Sequence, residues 1–135
     1  GKMKLMKGTI PKFIILVVYK TKESNWRGFC YPYDVSCEAE KQKVAMIRLE
    51  KLVKLYKEGL KKYNYPRHLT IHSLSDEDDR RVFKIVKKII EKKLIEEIKR
   101  DFLKSQQGEQ QKEEFKIKSP IPLSGYYCPQ SLAIV

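Results

Sequence analysis

The spacing of apolar positions changes several times along the chain, and each change predicts an element. Residues 12–20, Lys-Phe-Ile-Ile-Leu-Val-Val-Tyr-Lys, are continuous and β-branched, which predicts a buried central strand. Thr21 to Asn25 is short and polar and reads as a hairpin loop. Trp26 to Tyr33 predicts a second strand, with Phe29, Tyr31 and Tyr33 on one face at period two. Val35 to Ala39 predicts a short third strand. Loops this tight join strands as an antiparallel meander.

From Lys41 to Tyr63 the period becomes helical. Ala45, Leu49, Leu52, Val53, Tyr56 and Leu60 recur at three and four, forming one apolar stripe. Asn64 serves as the helix stop, and Pro66 prevents continuation. Arg67 to Leu74 alternates and predicts a fourth strand. Ser75 with Asp78 has the spacing of a capping box, so a second helix is expected over 76–104, uninterrupted by Gly or Pro. Its seam is Phe83, Val86, Ile90, Leu94, Ile98 and Phe102. At about 1.5 Å per residue it extends roughly 40 Å and overhangs a domain of this size. Leu94, Ile98 and Phe102 then need a second copy to cover them, so a homodimer is expected. Residues 105–114 form a Gln- and Glu-rich polar linker. Residues 115–135 carry Pro120, Pro122, Pro129 and the Tyr126-Tyr127 pair, and predict an extended tail docked on the body or on a neighbouring subunit. Phe115 and Ile117 alternate with Lys116 and Lys118, the pattern of a strand added to a sheet edge. Tyr126, Tyr127 and Leu132 would be its anchors, and a further protein partner can bind through it.

The expected architecture is therefore α+β: an antiparallel β-β-β-α-β body within a single domain over 1–104, followed by a long helix and an extended tail. Composition narrows the setting. No apolar run approaches the ~18 residues of a membrane span and no leader pattern opens the chain, so an intracellular, cytoplasmic protein without membrane contact is expected. The abundance of Lys, Glu and Ile resembles proteins of heat-loving organisms. Cys30, Cys37 and Cys128 are too few and irregular for a disulfide scaffold or a zinc site.

Charge adds a function class. The net charge is +12, and its distribution is uneven. Residues 41–68 hold nine basic residues against Glu50 and Glu58, and residues 80–104 hold ten against four acids. Such a field favours polyanions, nucleic acid first. On the first helix Lys43, Lys54, Lys57 and Lys61 lie roughly in a row with Lys51 and Lys62 beside them, and Arg48 and Arg67 flank them. Lysines make phosphate contacts without reading bases. Tyr63, Tyr65 and His68 stand near the helix end, where rings can stack on bases.

The order β-β-β-α-β resembles the N-terminal domain of HicB-type antitoxins, a degenerate RNase H-like fold. The resemblance rests on the buried strand Phe13 to Tyr19, the aromatic strand ending Tyr31-Pro32-Tyr33-Asp34, Cys37, and the helical segment Lys43-Val44-Ala45 continuing through Leu49 and Leu52. It covers residues 12–74. The family's Gly-x-Thr before the helix is replaced here by Glu38 to Gln42. The resemblance implies the fold and an antitoxin-like regulatory role; a protein of charge +12 is ill-suited to a basic toxin.

Enzymatic chemistry has little support. His68 and His72, four apart on a predicted strand, stand about 13 Å from each other, too far to share an ion. Asp34, Glu38 and Glu40 share strand parity, and an acidic cluster of this kind holds metal ions in nucleases. No phosphate loop, nucleophile elbow or metalloprotease motif is present. No catalytic residue, metal or cofactor is expected. The leading expectation is a non-enzymatic nucleic-acid-binding or regulatory accessory protein contacting the phosphate backbone. A structural or protein-interaction module assembling through the long helix and tail is the alternative, and a metal-dependent nuclease is a minor one.

Overall fold

A computed structural model describes residues 11, 13–67, 73–103, 113–118 and 121–129. Five strands and two long helices make up the described chain: β1 Phe13–Lys20, β2 Trp26–Tyr31, β3 Val35–Ala39, α1 Gln42–Lys62, α2 Glu77–Leu103, β4 Glu113–Ile117 and β5 Leu123–Pro129. The strands form one sheet in the order β3-β2-β1-β5-β4, and every neighbouring pair is antiparallel. The class is α+β, with a helix on each face of the sheet.

The unbroken apolar run of β1 follows from that layering. Ile15, Val17 and Tyr19 point into a core completed by Val82, Val86 and Ile90 of α2. Ile14, Leu16 and Val18 point the other way, into a core with Ala45, Leu49, Val53 and Leu60 of α1. A strand covered on both sides has no solvated parity, so its sequence does not alternate.

α1 buries Ala45, Leu49, Val53 and Leu60 of the expected stripe and covers Tyr56 in part. Leu52, at the rim of that stripe, remains 37% exposed. The helix ends where Asn64 enters the left-handed region at φ 61°, followed by Tyr65 at φ 54°. The Tyr65 amide donates to the Leu60 carbonyl at 2.7 Å, satisfying an orphan carbonyl of the last turn.

The second aromatic strand divides. Phe29 and Tyr31 pack toward α2, where the Tyr31 and Phe83 rings stack with centroids 4.5 Å apart. Tyr33 lies beyond the strand in the opposite core, 5.0 Å from the ring of Tyr56. The change of side occurs at a turn in which the Asp34 amide donates to the Cys30 carbonyl at 2.9 Å and Asp34 takes φ 54°. Strand parity ends at that turn, so the period-two reading through Tyr33 fails there.

α2 runs unbroken for 27 residues. Its cap is Asp76 rather than Ser75: the Asp76 carboxylate accepts the Asp79 amide at 2.9 Å. Val82 is buried alongside the expected Val86 and Ile90, while Phe83 is only partly covered. The side chains of Leu94, Ile98 and Phe102 lie outside the described residues, as do His68, His72 and Leu132. The strand expected over 67–74 falls largely on 68–72, also outside them, and Arg67 and residues 73–74 are not in strand.

The place beside β1 is taken instead by β5, from the segment expected to form a tail. It pairs with β1 from Phe13–Pro129 to Tyr19–Leu123. Phe115 and Ile117 do sit in a strand, β4, but its partner is β5. The Pro-containing stretch after residues 115–118, which a proline's missing donor would send across the surface, instead supplies a strand. Pro122 precedes the strand and Pro129 occupies its last position, so neither interrupts the pairing. Gly125 makes the close approach possible. A Cβ there would lie 2.1 Å from the Leu16 carbonyl oxygen, so any side chain would push β5 off β1.

Candidate nucleic-acid interface

The two faces of the sheet treat charge differently. On the α2 face, Tyr19, Arg27 and Glu38 are register partners across β1, β2 and β3. Asp79, in the first turn of α2, is fully buried above them. Its carboxylate accepts hydrogen bonds from the Tyr19 hydroxyl at 2.8 Å and from Arg27 Nε and Nη2 at 2.7 and 2.9 Å. Arg27 also pairs with Glu38 at 3.3 Å. Burial and the neighbouring Asp79 carboxylate push the Tyr19 phenol far above its ordinary range, while Asp79 holds the Arg27 guanidinium more firmly charged. The buried polar groups of this cluster are all satisfied, and only its exposed outer member, Glu38, borders a concavity, so the cluster pins α2 to the sheet.

On the other face α1 lies mainly over β3, β2 and β1. The α1 side of β5 and β4 is left uncovered. Ser124, Tyr126 and Cys128 of β5 are half-buried there, and Glu114 and Lys116 of β4 are exposed. Two adjoining concavities of ≈ 520 and ≈ 480 Å³ lie along this step. They share Glu50 and Tyr126 and together extend from Gln42 to Tyr65. Tyr126 donates to the Glu50 carboxylate at 2.5 Å, and Gln42 donates to the Ser124 hydroxyl at 2.6 Å. These two bonds tie β5 to α1 while leaving the groove open. Burial, with Glu50 adding to it, holds the Tyr126 phenol protonated well above its ordinary value.

The sequence-named basic residues separate around this groove. Lys43, Lys54, Lys57 and Lys61 line it. Lys43, Lys54 and Lys61 are about three and two turns apart, which brings them onto one flank of α1. Lys93 and Lys116 face them from the β4 side, and the Lys93 ammonium donates to the Glu114 carbonyl at 2.5 Å. Glu50, Glu58 and Glu114 also line the groove, so lysines outnumber acids along it. Arg48 lies on the other side of the helix and donates to the Glu38 carbonyl at 2.8 Å. Lys51 is exposed on the outer face, and the Lys62 ammonium sits 5.6 Å from the Tyr63 ring centroid. Arg67 is exposed beyond the helix. The eight residues therefore form two groups, of which the first borders this groove, while Arg48 borders a separate concavity with Glu38, Glu40 and Lys41. Lys116 and Tyr126 belong to the site but were read as parts of a tail. The alternation over Phe115 to Lys118 already placed the lysines on the opposite face from Phe115, and only the pairing of β4 with β5 was missing.

The acidic trio does not assemble. Asp34 stands in the left-handed turn with its carboxylate 3.3 Å from the Ser75 amide, Glu38 binds Arg27, and Glu40 is exposed past β3. No group of His, Cys, Asp or Glu suited to holding a metal occurs among the described residues. Cys30 and Cys37 do not form a disulfide, and burial pushes the Cys30 thiol up to about 12. No described helix is long and apolar enough to cross a membrane. Comparison of the chain with protein families, curated proteins and solved structures returns no match.

Proposed function

We propose that this protein binds nucleic acid through its phosphate backbone, as a non-enzymatic or regulatory accessory protein, with the α1 groove as the contact surface. The observation that carries the reading is the flank of Lys43, Lys54, Lys57 and Lys61 standing exposed along an open, concave step of the sheet. Lysines outnumber acids along this cleft, and a cleft of net positive charge concentrates anionic ligands. Lysine suits phosphate contact without base reading. The β-β-β-α order shared with HicB-type antitoxin domains is compatible with a regulatory role.

The test is binding of mixed-sequence oligonucleotides, measured by fluorescence anisotropy across a salt series. Affinity is expected to vary little with sequence and to fall steeply as salt rises, by a log–log slope of about 0.7–0.9 per phosphate contact. Replacing Lys54, Lys57 and Lys61 with Glu together is expected to weaken binding to every sequence and flatten that slope. Absence of binding at low salt overturns the proposal.

A second reading is favoured by a separate observation. Ile47 and Leu55, on the outer face of α1, are 51% and 64% exposed, and Val44 and Leu52 stand near them. Clustered exposed apolar side chains mark interaction surfaces. A module assembling through this face, or a homodimer, would be unaffected by the lysine substitutions, so the same triple variant separates the two readings.

A further inference from the structure

We infer that the groove is built for a single strand rather than a duplex, with Tyr126 and Tyr65 as base-stacking platforms at its floor and end. The inference rests on the nucleic-acid reading above and names the substrate class of the same site.

Three observations carry it. The groove combines charge and rings at different heights. Lys54, Lys57 and Lys61 project from α1, whereas Tyr126 lies on the sheet below them, and Ile14, Leu16 and Tyr65 complete an apolar lining. A ligand that satisfies both levels must carry phosphates along one edge and flat apolar faces along the other. A single strand does so, because each unpaired base offers a π face. A duplex encloses its base faces and presents phosphates on its outside, so it would meet the lysines and leave the floor empty.

One platform, Tyr126, is also fixed before any ligand arrives, and the other is placed by its backbone. Tyr126 is anchored by its hydroxyl to Glu50 at 2.5 Å, and its strand is clamped between β1 and β4. The backbone of Tyr65 is placed at the groove's end by its amide's hydrogen bond to the Leu60 carbonyl, at a φ of 54° that side-chain-bearing residues rarely adopt. A ring already immobilised loses little further freedom on binding, which favours affinity.

Finally, the groove follows α1 from Gln42 to Lys61, about 30 Å at the helical rise. Lysines recur along that length, so the contacts suit a polymer that tracks the step rather than a compact anion held at one point.

The experiment uses the full chain with end-labelled single-stranded oligonucleotides and the duplexes made from them, by anisotropy at matched salt. Single strands are expected to bind about tenfold or more tightly than duplexes. Tyr65→Leu keeps apolar bulk but removes the aromatic face. It is expected to weaken single-strand binding about tenfold, the scale of one lost stacking platform, and to leave duplex binding unchanged. Tyr126→Phe keeps the second ring and frees it from Glu50, with a smaller loss in the same direction; circular dichroism verifies that both variants fold. Equal or tighter duplex binding overturns the inference and leaves the phosphate-binding reading standing. So does single-strand affinity indifferent to both tyrosine variants. Failure of both ligands to bind overturns the two together.

Discussion

The α2 face and the α1 face of this sheet are built from the same central strand, yet they put their polar groups to opposite uses. Under α2 the charges are sealed. Asp79 is fully buried, Arg27 reaches it with two nitrogens, and Tyr19 completes the shell. Under α1 the apolar core is covered, but the helix stops short of β5 and β4, and lysines border what is left open. Strongly perturbed ionisable groups often mark functional sites. Here the most tightly held groups, Asp79, Arg27 and Tyr19, are closed in between α2 and the sheet, and the accessible concave surface is bordered by lysines. Concavity and exposure, rather than the strength of an ion pair, locate the candidate site.

The largest test of this contrast removes the strands that the two faces share. β5 supplies Tyr127 and Leu123 to the α2 core and Tyr126 to the α1 side. Burying Phe115, Leu123 and Tyr127 contributes about 1.5–3 kcal/mol each, against a net stability of about 5–15 kcal/mol for a whole domain. A chain ending at residue 112 is therefore expected to lose its cooperative thermal transition by circular dichroism, and to lose both faces at once. The sequence alone suggests a shift of only several degrees on such a truncation, since a docked tail is peripheral. A truncated chain that melts cooperatively within a few degrees of the full one would restore the tail to that minor place.

A smaller effect separates the faces. Arg27→Met leaves the Asp79 carboxylate buried without its main partner, which costs about 3–5 kcal/mol. Tyr19→Phe removes one hydrogen bond from the same carboxylate, at about 1–2 kcal/mol. Urea denaturation is expected to rank them in that order, and Arg27→Met combined with Asp79→Leu to recover most of the loss, because no charge then remains buried. If the groove is independent of this cluster, oligonucleotide affinity under native conditions stays the same in Tyr19→Phe. Equal midpoints for Arg27→Met and the unaltered chain would show that the pair does not hold α2.

Much of the frame was legible in the residues, and the reason differs from element to element. β1 was readable because Phe13 to Tyr19 form an unbroken apolar, largely β-branched and aromatic run, and α1 because its stripe recurs over 21 residues with Asn64 as its stop. The helix over 77–103 was readable from the absence of breakers. β5 was hidden. Leu-Ser-Gly-Tyr-Tyr-Cys-Pro contains a glycine and a proline, both poor in isolated strands. Only its neighbours explain them, since Gly125 answers a contact with Leu16, more than a hundred residues away in sequence. The site was half legible for the same reason. The lysines of α1 share one helix and could be grouped by period, but Lys116 and Tyr126 join them through the pairing of β4, β5 and β1, which no local pattern encodes. Arg27 and Asp79 also met through tertiary structure: each is an ordinary charged residue until α2 folds over β2.

The smallest effect concerns alkaline pH and falls mostly on the α1 face. Cys30, Tyr33, Tyr56 and Tyr126 all belong to that layer, and burial raises the pKa of each. On the α2 face Tyr19 is the described tyrosine raised in this way. The folded thiol of Cys30 titrates at about 12 against 9.0 for its ordinary value, and the Tyr33 phenol at about 12 against 10.0. A proton held more tightly in the fold than in the unfolded chain stabilises the fold fully below the unfolded pKa. That stabilisation is lost as pH rises from the unfolded toward the folded value. Stability is thus expected to be level up to about pH 9, to decline first through Cys30, and to decline more steeply above about pH 10 as the phenols join, each group contributing about 1.4 kcal/mol per pH unit. Thermal melts across this range check the onset. Cys30→Ala keeps a small apolar group and removes the thiol, so the decline between about pH 9 and 10 is expected to shrink to the share of Cys37, whose thiol pKa is also raised by burial, with a lower starting stability from the lost packing. A decline below pH 10 unchanged in Cys30→Ala would show that the Cys30 thiol does not contribute to it. Stability level past pH 11 would contradict the enclosed environment of the α1 layer, and with it the distinction between a covered core and the open groove beside it.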